Sequence, residues 1–145
     1  MDYLDTSLIV AAITNEAATK SARTWLGDNP GKFHISDWVI TEVSSALSMK
    51  MRTGALTAAH RAEIQAFFRR MIIENFTLLP VTSAHFHRAA LFADQHDLGL
   101  RAGDALHLAI ASDAGARLCT LDRRLAEAGR QMGTTTILLD IPSSD

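Results

Sequence analysis

Cysteine, proline and glycine are all scarce in this chain of 145 residues, which has one cysteine, three prolines and eight glycines. A single cysteine excludes an internal disulfide framework. Because Cys119 stands inside the apolar run Leu118 to Leu121, we expect it to pack as a small hydrophobic side chain in a reducing, cytoplasmic compartment. The scattered prolines and glycines leave no linker-like segment, so we expect one domain over residues 1–145.

Long apolar runs and an excess of charge of one sign are also missing. No window approaches the ~18 uninterrupted apolar residues of a membrane-spanning helix, and no basic region precedes an apolar stretch at the N-terminus. We therefore expect neither secretion nor a membrane partner. The formal net charge of −2 gives no global attraction to a polyanion, so nucleic-acid binding must rest on local basic residues. The candidate RNA contacts, chosen because they stand beside acidic residues of interest, are Arg101, Arg123 and Arg124.

Hydrophobic residues make up 48% of the chain, which is enough for a substantial core. Short apolar runs bounded by polar residues predict five strands. These are Asp2 to Leu4, Phe33 to Ser36, Phe76 to Val81, Arg117 to Leu121 and Thr135 to Leu139. Helical patterns lie between them at Leu8 to Ile13, Ala18 to Leu26, Trp38 to Met51, Ala58 to Ile73, Ala84 to Gln95, Asp104 to Ala114 and Arg123 to Met132. The alternation predicts a short-stranded parallel sheet with helices on both faces, a three-layer α/β/α sandwich.

Four acidic residues interrupt or end these apolar segments, where solvated surface acids are not expected. They are Asp5, Glu42, Asp104 and Asp122. Asp5 and Asp122 directly follow two of the predicted strands, and Asp104 stands in the first turn of an otherwise apolar helix. Because ligands of open α/β sheets bind at the carboxyl ends of the strands, we expect these side chains to converge there.

Carboxylates gathered in one place favour a bound cation. Two of them a few ångströms apart repel each other by about 4 kcal/mol at an effective dielectric constant near 20. A hard divalent cation relieves this repulsion, and since no histidine-cysteine cluster accompanies the acids, we expect Mg²⁺, with Mn²⁺ as the alternative. We assign the metal-ligand role to Asp5 and Asp104, while Glu42 and Asp122 hold water molecules of the ion or a second ion. Three hydroxyl residues are expected to orient these groups: Thr6, Ser7 and Thr120.

A simpler interpretation of the same acids remains open. Each one would act as a helix N-cap or first-turn charge, worth about 0.3–1 kcal/mol, and Asp122 fits that role especially well. We explain Asp37 in this way, as the cap of the helix that begins near Trp38, and leave it out of the site. His107 on its apolar helix is interpreted as a hydrogen-bonded packing residue without a catalytic role.

The acidic residues lie in segments that together resemble a known family. The segments are Tyr3-Leu4-Asp5-Thr6-Ser7, Thr41-Glu42-Val43, Asp104-Ala105-Leu106-His107-Leu108-Ala109 and Thr120-Leu121-Asp122. In this order they resemble the PIN-domain ribonucleases, and among those the VapC-type toxins of type II toxin–antitoxin systems. The resemblance places the four acids at the family's four acidic positions, and Thr120 at its hydroxyl position. Asp2 departs from it, since the family usually carries an apolar residue there, and a charge at this place could loosen the first strand.

The resemblance implies a Mg²⁺-dependent endoribonuclease that cleaves single-stranded or loop regions of RNA, leaving a 3′ hydroxyl and a 5′ phosphate. Separately, we take a transfer RNA loop as the target to expect. The resemblance also implies a homodimer. A cognate VapB-like antitoxin would pack its carboxy-terminal segment on the apolar helices and direct an arginine toward the acids. The antitoxin's other end would bind operator DNA, so we expect no reading of operator DNA by this chain alone.

Two other functions stay open on the sequence. A haloacid-dehalogenase-like phosphatase would use Asp5 as a covalent nucleophile, but Ser7 stands where its second acid is expected. A non-catalytic PIN-like binding module would keep the fold and the antitoxin surface without cleaving RNA.

Overall fold

A five-stranded parallel sheet forms the centre of the protein, as seen in a computed structural model that describes residues 1–140. The strands are β1 (Asp2–Leu4), β2 (Phe33–Ser36), β3 (Phe76–Leu79), β4 (Arg117–Thr120) and β5 (Thr136–Leu138). Their order is β3-β2-β1-β4-β5, and every neighbouring pair is parallel. The predicted parallel sheet is confirmed, although β3, β4 and β5 end earlier than expected. The C-terminal end of the predicted domain, residues 141–145, lies outside the described residues.

Helices connect the strands and cover the sheet. They are α1 (Thr6–Ile13), α2 (Thr19–Asp28), α3 (Asp37–Arg52), α4 (Ala58–Asn75), α5 (Ser83–Asp94), α6 (Ala102–Asp113) and α7 (Arg123–Gln131), with a 3₁₀ turn at His96–Leu98. Helix α1 contacts α2, α3 and α4, while α6 contacts α5, α7 and β4. The two groups enclose the sheet, which confirms the three-layer sandwich. Within residues 1–140, no helix combines the length and apolarity needed to cross a membrane.

The strand order reverses at β1, and this reversal positions the candidate site. Strand β1 pairs with β2 on one side and with β4 on the other. The chain therefore leaves β1 and β4 in opposite directions, which opens a crevice at their carboxyl ends. Asp5 and Asp122 are the residues that follow these two strands, and each is the N-cap of the next helix.

Threonine side chains cap two of the helices, and the start of a third differs from the prediction. Thr57 accepts a hydrogen bond from the backbone N–H of His60, and Thr82 forms a capping box at the start of α5. The prediction that Asp37 caps α3 was wrong, since the helix begins at Asp37 itself and Ser36 holds the cap position. Asp37 is an exposed first-turn acid instead.

Strand β1 is secured by burial and by an ion pair. Cys119 is buried in β4, as predicted, and burial raises the pKa of its thiol to about 12.

Asp2 does not loosen β1, because it faces Arg117 across the pair β1 and β4. The Arg117 guanidinium donates from Nε to Oδ1 of Asp2 at 2.6 Å and from Nη2 to Oδ2 of Asp2 at 2.9 Å. The charge that departs from the family pattern therefore has a partner.

Candidate active site

Asp5 is the most enclosed of the four acids, with 3% of its surface exposed. Its Oδ1 accepts hydrogen bonds from the Ser7 hydroxyl at 2.7 Å and from the backbone N–H of Leu8 at 3.1 Å. Its Oδ2 accepts from the buried Thr120 hydroxyl. Burial raises the pKa of Asp5, and the charge of His107 and these hydrogen bonds counter the rise only in part. A carboxylate held so tightly is poorly placed to act as a covalent nucleophile.

The hydroxyls of Ser7 and Thr120 tie the ends of β1 and β4 together. Thr120 Oγ1 accepts from the backbone N–H of Asp122 at 2.9 Å, and Ser7 Oγ accepts from the backbone N–H of Leu121 at 3.1 Å. Both hydroxyls also donate to Asp5. The two acids that follow the strands are thus fixed relative to each other by one hydrogen-bonded network.

Glu42 reaches the same region from the second turn of α3. Its Oε1 accepts from the Thr6 hydroxyl at 2.6 Å and from Nε2 of His107. Partial burial alone raises the pKa of Glu42, but the hydrogen bond and charge of His107 and the hydrogen bond from Thr6 outweigh it and lower the pKa. Glu42 is therefore held as a carboxylate.

Asp104 and Asp122 line a polar pocket of about 400 Å³ together with Arg101 and Arg124. Burial is the main cause that raises the pKa of Asp104 to about 6, followed by the negative charge of Asp122. The charge of His107 opposes the rise, whereas those of Asp5 and Glu42 add to it. The pKa of Asp104 therefore responds to the charges of the other three acids.

The capping interpretation is also correct for part of the site. Oδ1 of Asp122 accepts from the backbone N–H groups of Arg124 at 2.9 Å and Leu125 at 3.2 Å, which caps α7. Asp5 caps α1 in the same way. The two interpretations are compatible, because a cap uses one carboxylate oxygen of Asp122 and leaves the other for the pocket.

The donor set of this pocket fits a hard divalent cation. The acidic side chains offer only oxygen, and the pKa of Asp104 is raised first by burial and then by the negative charge of Asp122, which a cation would neutralise. Among residues 1–140, no three acidic, histidine or cysteine side chains already stand together as a complete ligand set. With two carboxylates in its lining, the pocket suits an ion such as Mg²⁺, which keeps several of its own waters and takes few protein ligands.

Two of the three predicted basic residues lie at this pocket. Arg101 and Arg124 line it, whereas Arg123 is not among its lining residues. Arg124 Nη1 donates to the backbone oxygen of Gly99 at 3.4 Å, and a Cβ at Gly99 would come within 3.2 Å of the Arg124 side chain. Gly99 also has a φ of 66°, so a larger residue would be strained there.

Several residues around Glu42 had no assigned function in the sequence. His107 is 2% exposed and hydrogen-bonded, as predicted for a packing residue. Its hydrogen-bond partner, however, is Glu42, one of the four acids. Tyr3 and Gly103 also lie next to this group. The sequence offered one indication that His107 lies near the acids. It stands three positions after Asp104 on the same helix, and this spacing places both side chains on one face.

Comparison with known proteins identifies the family. Residues 3–131 match the family model described as PIN domain. A search of curated proteins gave no significant sequence match. Among solved structures, FitAcB from Neisseria gonorrhoeae is similar with a TM-score of 0.73 and 16% identity, over 94% of this chain and 96% of that chain.

Two further structures share this architecture. VapC20 from Mycobacterium tuberculosis, described as a sarcin-ricin loop cleaving toxin, has a TM-score of 0.72 and 22% identity, over 89% of this chain and 95% of that chain. VapBC2 from Rickettsia felis, bound to a promoter DNA fragment, has a TM-score of 0.67 and 17% identity, over 97% of this chain and 100% of that chain. At these identities the likeness concerns the fold. Since the family model spans residues 3–131, the chain belongs to the PIN domain family.

Proposed function

We propose that the protein is a metal-dependent endoribonuclease and the toxin of a toxin–antitoxin pair. The observation that carries this proposal is the pocket in which Asp104, with its pKa raised to about 6, faces Asp122 between Arg101 and Arg124. The two arginines attract an anionic substrate, but the two acids repel it. Such a substrate therefore fits this cavity only when a cation binds with it. A phosphodiester with Mg²⁺, or Mn²⁺ as the alternative, meets that requirement.

Each side chain has a part in the proposed hydrolysis. Asp104 and Asp5 would hold the ion, and Asp122 and Glu42 would orient water around it. When bound, Mg²⁺ supplies polarisation of the phosphoryl oxygen and a more nucleophilic water. Arg101 and Arg124 contact RNA phosphates, and Arg123 would do so further from the pocket. Water adds to phosphorus as the 3′ oxygen leaves, which gives a 5′ phosphate and a 3′ hydroxyl.

The fold neighbours and the sequence support a proposal for the partners and the substrate. VapBC2 was solved with promoter DNA, which supports a VapB-like antitoxin as the partner of this chain and as the part that reads operator DNA. VapC20 is described as cleaving the sarcin-ricin loop, which supports an RNA loop as substrate, and a transfer RNA loop is a second target to test. We also propose that the protein works in the cytoplasm as a homodimer.

RNA cleavage by the purified chain tests this function. The wild-type protein, free of antitoxin, is incubated with end-labelled RNA hairpins and transfer RNA in Mg²⁺ or in EDTA. We expect Mg²⁺-dependent cleavage that leaves 5′ phosphates, and its loss in Asp104→Asn and Asp122→Asn. Asp37→Asn is the matched control, because Asp37 is also a first-turn acid but is exposed and outside the pocket. Cleavage that persists in EDTA, or that survives both pocket substitutions, contradicts the proposal.

A further inference from the structure

We propose that Tyr3 and His107 are positioning residues that fix the carboxylate of Glu42 for the reaction. The inference rests on the proposed nuclease function and adds residues to it that do not line the pocket. Four side chains carry it, and we refer to them as the Glu42 relay. In order they are Ser36, Tyr3, His107 and Glu42.

The relay is a continuous chain of hydrogen bonds through the interior. The Ser36 and Tyr3 hydroxyl oxygens are 2.8 Å apart, and the Tyr3 hydroxyl is 2.8 Å from Nδ1 of His107. Nε2 of His107 then contacts Oε1 of Glu42. Ser36 and Tyr3 are fully buried and His107 is 2% exposed, so water does not compete for these bonds. The relay links β2, β1, α6 and α3.

The chemistry of the groups sets the direction of each bond. The Glu42 carboxylate is an acceptor only, and the Thr6 hydroxyl already donates its proton to Oε1. Nε2 of His107 must therefore carry a proton and donate it to Glu42. Nδ1 of His107 accepts from the Tyr3 hydroxyl when the ring is neutral, and the Ser36 hydroxyl then donates to Tyr3; when the ring is charged, Nδ1 donates to the Tyr3 oxygen instead. In both forms Nε2 donates to Glu42, and in the neutral ring the phenol of Tyr3 selects the tautomer that does so.

Ser36 supplies independent support, because its hydroxyl is withheld from a helix cap. It occupies the N-cap position of α3 with extended backbone angles, yet its side chain makes no capping hydrogen bond. A serine in this position usually accepts from a backbone N–H of the first turn, which is worth about 1 kcal/mol. Here the hydroxyl contacts Tyr3 instead. The chain forgoes a cap at the start of the helix that carries Glu42.

Gly103 restrains the other oxygen of the same carboxylate. A Cβ at this position would lie 2.9 Å from Oε2 of Glu42, closer than nonbonded atoms approach, and 3.5 Å from the indole of Trp38. Oε2 therefore rests against bare backbone in the first turn of α6, one residue before Asp104. With Oε1 held by His107 and Oε2 against Gly103, the carboxylate is fixed from two sides.

Kinetics of substituted proteins test the relay. Removing groups that orient acidic side chains around a metal typically lowers activity about 10- to 100-fold. We expect that loss in kcat for His107→Leu, with KM for an RNA hairpin little changed. His107→Gln should restore most of the activity, because its amide donates to Glu42 and its oxygen accepts from Tyr3. Tyr3→Phe keeps the ring but loses the phenol, and should lower kcat as well. Equal kcat in wild type, His107→Leu and Tyr3→Phe overturns the inference.

Nitrogen-15 NMR of the His107 ring tests the same inference without any activity. In wild type, at a pH where the ring is neutral, we expect a protonated Nε2 and an unprotonated Nδ1, and in Tyr3→Phe a mixture of tautomers. A ring protonated on Nδ1 in wild type, or an unchanged tautomer in Tyr3→Phe, contradicts the relay. The two measurements also separate the proposals. A wild-type protein that shows the expected tautomer but cleaves no RNA refutes the nuclease function and leaves the relay standing.

Discussion

Replacing Asp104 by asparagine should make the metal-free protein more stable, although it removes a proposed catalytic group. The pKa of Asp104 rises from 3.8 to about 6 in the folded state, chiefly because of burial and the charge of Asp122. A rise of about 2 pKa units corresponds to about 3 kcal/mol of destabilisation of the folded state when the carboxyl is ionised. Since Asp104 is partly exposed, solvent screening reduces this value to about 1–2 kcal/mol. Asparagine cannot ionise and avoids the penalty.

The pH dependence of this effect follows from the direction of the shift. A pKa that is raised on folding contributes stability below the unfolded value of 3.8, and this contribution is lost as the pH rises through about 6. Wild type should therefore lose stability relative to Asp104→Asn between pH 4 and pH 7. Urea unfolding in EDTA at pH 4.5 and pH 7.5 measures the difference, which should be small at the lower pH and largest at the higher one.

Two controls make the test specific. Asp37→Asn carries the same substitution at an exposed first-turn acid and should lower stability by about 0.3–1 kcal/mol, because a favourable helix-dipole interaction is lost. Saturating Mg²⁺ should reverse the order, since an ion at 100 times its dissociation constant stabilises the wild type by about 2.7 kcal/mol. A gain in Asp104→Asn that does not vary with pH, or an equal gain in Asp37→Asn, would refute the reasoning.

Three further substitutions have defined outcomes. Gly103→Ala should change the unfolding free energy by less than about 1 kcal/mol, because the atom it displaces is the end of a side chain and not backbone, yet lower RNA cleavage about 10-fold or more. Its control Gly27→Ala has open space around the new methyl group and should keep full activity. Thr120→Val should lower the unfolding free energy in urea by about 1.5–3 kcal/mol, since a buried carboxylate loses a donor, and Thr120→Ser should restore it. Arg117→Met should cost at most about 1 kcal/mol in the same assay, because its ion pair lies near the surface.

The sequence predicted the fold well because periodicity and burial act locally. Each short apolar run became a strand, and the first two strands have the predicted limits Asp2–Leu4 and Phe33–Ser36. The convergence of Asp5 and Asp122 also followed from a general rule, that parallel strands share one carboxyl edge. The rule requires only that each residue comes just after a strand of the parallel sheet.

The surroundings of Glu42 were not predictable from the sequence in the same way. Tyr3 and His107 are separated by 104 positions, so their hydrogen bond depends on how β1 and α6 pack together. The prediction that Asp37 caps α3 failed because the helix begins one residue earlier than the apolar pattern indicated. The close approach of Oε2 of Glu42 to Gly103 is likewise a product of packing between α3 and α6. No local pattern reports contacts of this kind.

We propose that separate segments of the chain bring their carboxylates together to bind one hard cation. Crystals of the wild-type protein grown with Mn²⁺, measured for anomalous scattering at the manganese edge, test it directly. We expect an anomalous peak within bonding distance of an Asp104 carboxylate oxygen and its absence in Asp104→Asn. A saturated crystal with no peak in this pocket, or with manganese bound only elsewhere, would contradict it.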